Sequence, residues 1–160
     1  MIDVSLLELV APTAAPPGSL LIHCAKQPLY PALLTVSGGG PRNTLVIADD
    51  GLGFEVVDMA RASGVFLKVA KPRFVVDPES AVTGFDHTPE PGTLFLTSAG
   101  AGILARADHA ECGVMLDGTM TGIDYAKFAG FRAWRIEIDG ADDKPHVLYS
   151  HRAKSLGQAD

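Results

Sequence analysis

Lysine and arginine are in short supply: 13 of them stand against 19 Asp and Glu, giving a net charge of −6 in a chain of 160 residues. Binding a nucleic-acid duplex requires cations concentrated on one face to neutralise phosphates, so this balance excludes nucleic acid as a partner. The one local gathering of cations, Lys68, Lys71 and Arg73, straddles Pro72 and reads as a solvated strand edge that discourages unwanted pairing. Cysteine is almost absent. Cys24 and Cys112 make no disulfide framework, and a reducing intracellular setting, cytoplasm or an intracellular particle, is expected. No apolar run approaches the ~18 residues that a spanning helix needs, so no membrane insertion is expected. The first ten residues are apolar, but they carry Asp3 and Glu8 and no cation precedes Lys26, which does not fit a secretory signal.

What the chain has in quantity is short apolar, β-branched runs separated by Gly, Pro and Asp-Gly punctuation. The runs lie at 20–24, 33–36, 44–48, 65–70, 74–77, 93–97, 113–117, 133–139 and 146–151. With 47% hydrophobic and 20% charged residues and a mean hydropathy of +0.19, the chain is globular and on the apolar side of typical usage. These features predict a mainly β (α+β) single domain: an antiparallel sandwich or barrel-like sheet with one or two short helices. One helix is expected over 54–63, where Phe54, Val57, Ala60 and Arg61 suit a helical face and Gly64 suits its C-terminal cap; a hairpin strand is the alternative there. A second is expected at 123–128, stopped by Gly130. Trp134, Ile136 and Ile138 alternate with Arg135 and Glu137, predicting a half-buried strand that returns through the 139–143 turn into 146–151 as a hairpin. Residues 1–18, with Pro12, Pro16 and Pro17, read as an extended arm that a neighbouring subunit would hold; 19–153 form the β-rich domain and 154–160 a polar tail.

Candidate chemistry is sparse. His109-Ala110-Glu111 resembles the first half of the zinc nucleoside and nucleobase deaminase signature, yet no cysteine follows Cys112 to complete the ligand set. A looser metal site would combine His109 and Cys112 with His23 or Cys24, of which a strand at 20–24 lets only one reach a shared ion. Cys112 is also in phase with Val114 and Leu116, the pattern of a buried thiol. Gly100-Ala101-Gly102-Ile103-Leu104-Ala105 matches the dinucleotide-binding pattern after a strand, with Asp117 as the matching acid. A glycine-rich hairpin is the competing and preferred reading, because the segment after it is short for a crossover helix. Ser37-Gly38-Gly39-Gly40 lacks the Lys and Ser/Thr of a phosphate loop. The acids at Asp49-Asp50, Asp86, Asp108 and Asp142-Asp143 sit where strands end, and Asp86-His87 and Asp108-His109 have no nucleophile elbow before them.

The expected function is therefore non-enzymatic: a structural or assembly subunit without a cofactor, working as a homo-oligomer or within a larger particle such as a viral shell or secretion machine. Two alternatives are a metal-dependent enzyme or sensor built on His109 and Cys112, and a small-molecule or nucleotide binder using the 98–102 turn with Gly100 and Gly102.

Overall fold

A computed structural model describes residues 3–23, 32–37, 43–49, 53–59, 65–83, 89–140, 142 and 144–153. Cys24, Gly38 to Gly40, Asp50, Gly64, Asp86, His87 and the tail 154–160, all named above, lie outside them. The first sheet holds β1 (Leu7–Val10), β2 (Leu20–His23), β3 (Ala32–Thr35), β4 (Asn43–Ile47), β5 (Val56–Asp58) and β6 (Phe66–Val69), in the order β1-β6-β2-β3-β4-β5. After β7 (Arg73–Val76) come β8 (Ala81–Thr83), β9 (Leu94–Thr97), β10 (Gly100–Ala107), β11 (Ala110–Met115), β12 (Met120–Thr121) and β13 (Ala129–Phe131). These six form a second sheet, β12-β11-β10-β9-β13-β8. Finally β14 (Ala133–Asp139) and β15 (Pro145–Arg152) join β7 in a three-stranded sheet with β14 at its centre. Every pairing among the named strands of the described residues is antiparallel, with one isolated parallel bridge between Glu55 and Arg106, so the mainly β, sandwich-like expectation holds.

The main core lies where the three sheets meet. Leu20, Leu34, Leu45, Ile47 and Val69 from the first sheet pack with Leu94, Ile103 and Val114 from the second and Trp134, Ile136 and Ile138 from the third. The alternate residues of the first sheet, Leu21, Leu33, Val46 and Phe66, form a separate buried cluster on its other face. Burial on both faces explains why 20–22, 32–34 and 45–48 are continuously apolar instead of alternating, although their strands run antiparallel. Each fully buried Leu or Ile there stabilises the fold by roughly 1.5–3 kcal/mol of transfer free energy.

The helix expected over 54–63 is overturned in its described part. Phe54 has a left-handed φ of 59° and Val56–Asp58 is a strand. Backbone pairing decides the matter: Phe54 N–H donates to Val46 O and Val46 N–H to Glu55 O, so the segment completes the edge of β4. The helix expected at 123–128 shrinks to a single 3-10 turn at Tyr125–Lys127, capped by the Asp124 carboxylate on Ala126 N–H. The other helical pieces among the described residues are also short 3-10 turns, at Val4–Leu6, Pro12–Ala14 and Pro78–Ser80. The hairpin of β14 and β15 forms as expected, with a register shift between Ile136 and Glu137. Glu137 departs from the half-buried pattern: it is 6% exposed, covered by Arg135, which hydrogen-bonds it, and by Arg73 at 3.8 Å.

The N-terminal segment pairs with its own chain. β1 runs along β6, with Leu7 opposite Val69 and Leu9 opposite Leu67. Further on, Gly18 (φ 77°) meets Gly118 (φ 88°), and a Cβ built on Gly118 would lie 2.4 Å from Gly18 N and 2.6 Å from Thr35 O. Only glycine fits such a crossing. Hydrogen bonds from Gly18 N–H to Thr35 O and from Ser37 N–H to Gly118 O tie the arm, β3 and the β11–β12 turn together.

Candidate functional site

Of the two glycines proposed for cofactor binding, Gly102 is hemmed in by packing, whereas a Cβ on Gly100 (φ 131°) would meet only Met115 Cε at 3.6 Å. Ser98 and Ala99 turn β9 into β10, so Gly100 and Gly102 lie in a strand, and no helix follows to point its amides at a pyrophosphate. A Cβ on Gly102 would come within 2.6 Å of the Phe95 ring and 2.9 Å of Val114 O. The residue is small so that Phe95 can lie across the strand.

The proposed metal ligands are dispersed. Asp108 and His109, with φ 48° and 66°, are the two central residues of a tight turn between β10 and β11, where Ala107 pairs with Ala110. Positive φ at both positions is the geometry of a type I′ hairpin turn, which Asp and His tolerate better than most side chains. Cys112, three residues on, packs against the main core, and burial raises its thiol pKa. His23 ends β2 in the first sheet, edge-on to Phe66 with ring centroids 4.9 Å apart. Among the described residues no group of three or more His, Cys, Asp or Glu could hold a metal ion. The basic residues are dispersed too, with Lys68 2.8 Å from Glu8 and Arg73 3.1 Å from Asp139.

A pairing that the sequence does not announce joins Asp49, just after β4, to His151 in β15. His151 Nδ1 lies 2.6 Å from Asp49 Oδ1, and the imidazole packs against Phe54 and Trp134 at 4.8 and 5.5 Å. The ring's other nitrogen, Nε2, is buried and has no hydrogen-bond partner among the described residues. It is closed off by Gly92, where a Cβ would lie 2.9 Å from it, while Gly92 O accepts from Trp134 Nε1 at 2.7 Å. The pair faces an open cleft of about 480 Å³ with Glu90, Pro91, Arg106 and Arg152 on its walls, and it joins β15 to the end of β4 in the first sheet.

Large apolar side chains also stand exposed, most of them at sheet margins and one, Leu96 (44%), on the interior strand β9. Val4 and Leu9 at β1 are 78% and 68% exposed, Val65 beside β6 is 51%, Met120 on β12 is 37% and Val147 on β15 is 46%. β1, β12 and β15 are each the terminal strand of their sheet. Val65 precedes Leu67 by two positions and Leu9 lies opposite Leu67, so extended geometry puts all three side chains on one face. No helix of the described residues is long and apolar enough to cross a membrane. Comparison with known proteins finds no matching family model, no similar curated protein and no similar solved structure.

Proposed function

We propose that this chain is a non-enzymatic structural subunit that acts through protein–protein contacts, assembling with copies of itself in a particle such as a viral shell or a secretion machine. The observation that carries the reading is the β1 margin. An outermost strand presents unpaired backbone donors and acceptors, and soluble proteins usually guard it with charge or proline. Here Leu9 and Val65 stand exposed on one face of that margin, with Val4 just ahead of it, and the single acid on β1, Glu8, is occupied by Lys68. A strand from a second copy laid beside β1 pairs its backbone and covers Leu9 in the same step.

Size-exclusion chromatography with light scattering over a wide concentration range tests this. Dimers or larger species are expected, and Leu9→Lys, which places a charge in the contact, is expected to weaken association about tenfold or more. A wild-type chain that stays monomeric at the highest concentration overturns self-assembly.

A further inference from the structure

We infer that the outer face of the second sheet holds a binding site for a small, neutral aromatic molecule bearing an O–H or N–H donor, of the size and chemistry of a phenol or an indole. The site is a pocket of about 420 Å³ between the β9–β10 turn and the segment 119–128, within the size range of sites for small ligands. It goes beyond the assembly reading and does not depend on it.

The floor is apolar: Phe128, Met115 and Ile123 line it, with the fully buried Phe95 stacked behind Phe128 at a centroid distance of 5.6 Å. This floor is fixed before any ligand arrives. Tyr125 packs on Phe128 at 5.8 Å and donates its hydroxyl to Glu111 at 2.7 Å, pinning the wall of the pocket to β11. Rings and methionine favour an apolar, polarisable guest.

The rim selects the polar end of that guest. Thr97 donates its hydroxyl hydrogen to Gly100 O at 3.3 Å, Thr119 to Asp117 at 2.7 Å and Thr121 to Gly122 O at 3.1 Å. With their hydrogens so placed, the Thr119 and Thr121 hydroxyls offer lone pairs that reward a donor, while Thr97 Oγ already accepts from Ala99 N–H at 3.2 Å. A phosphate or carboxylate, which brings only acceptors, meets these lone pairs and the Asp124 carboxylate, against the Ser98 hydroxyl and Lys127, which sits 3.7 Å from Asp124.

Gly122 is the second, independent sign. It lines the mouth, its φ is not left-handed, and a Cβ built there meets nothing within 4 Å. Neither backbone nor packing requires glycine at this position. Its effect is to leave the entrance open.

The test is methyl NMR of methionine-labelled protein titrated with indole or 4-methylphenol, with Met59 in the separate cluster of the first sheet as internal control. Saturable shifts are expected at Met115 and Met120 with Met59 unmoved, and toluene, which lacks the donor, is expected to bind about tenfold more weakly. Gly122→Leu is expected to abolish the shifts with the circular dichroism spectrum unchanged. Thr121→Val, a change on an exposed edge, is expected to weaken indole and leave toluene as it was. Absence of saturable shifts, equal response in Gly122→Leu, or benzoate and inorganic phosphate binding as tightly as indole overturns the site.

Discussion

His151 Nδ1 donates to Asp49 Oδ1 across 2.6 Å, joining residues 102 positions apart and closing the last strand onto the first sheet. The two partners are unequal. Asp49 is about half exposed whereas the His151 side chain is 6% exposed among Phe54 and Trp134. His151→Ala is therefore expected to cost about 2–4 kcal/mol by leaving a cavity between aromatic rings. Asp49→Ala should cost only about 1 kcal/mol, because water can replace a half-exposed carboxylate. Urea unfolding of the two single variants checks the order.

Gly102→Ala is expected to destabilise the protein by about 1–3 kcal/mol, since the new methyl has to displace the Phe95 ring or the β11 backbone. Combining it with Phe95→Leu should cost less than the sum of the two single changes, because the smaller side chain vacates the space. A strictly additive pair in thermal or urea unfolding contradicts this packing account.

Tyr125 has its pKa raised from 10.0 to about 12, chiefly by burial and then by its hydrogen bond to Glu111 and that carboxylate's charge. A raised folded-state value means that the tyrosine's contribution is fully present below pH 10 and fades as the pH climbs from there through about 12. Solvent at this partly exposed site keeps the effect small. Wild type should lose its margin of stability over Tyr125→Phe across that alkaline window, measured by denaturant midpoints.

Cys112 faces the core from β11, and burial pushes its thiol above the ordinary value. Alkylation of the folded protein near neutral pH is expected to be at least about tenfold slower at Cys112 than in urea, since the reactive thiolate is both rarer and covered. Equimolar zinc should give no protection, because neither His109 at the hairpin tip nor His23 in the other sheet joins it in a cluster. Zinc-dependent protection would restore a metal role.

Much of the fold is legible in the chain because β-branched runs bounded by glycine, proline and aspartate leave few other options, as at 44–48 and 133–139. The segment at 54–58 is not, because Phe54 and Val57 fit a helical face as well as a strand, and only the hydrogen bonds to Val46 decide between them. The turn at Asp108-His109 also escapes notice, since it contains no glycine and its left-handed backbone shows only in the structure. In β15 the periodicity breaks at the register shift: Leu148 and Tyr149 both reach the core although they are neighbours. Candidate chemistry was harder to read. His109, Cys112 and His23 share ligand chemistry but no common location, whereas Asp49 and His151 meet only because two sheets pack together.

Where Gly18 crosses Gly118, two parts of the molecule touch through bare backbone, and the amides of Gly18, Thr35 and Ser37 draw their partners from the same few residues. Separating the crossing loosens the bonds of Gly18 and Ser37 together, with Thr35 between them. Hydrogen exchange at these three amides should proceed at one shared rate, slower than at β1, so the outer strand can peel away while the base of the arm stays locked.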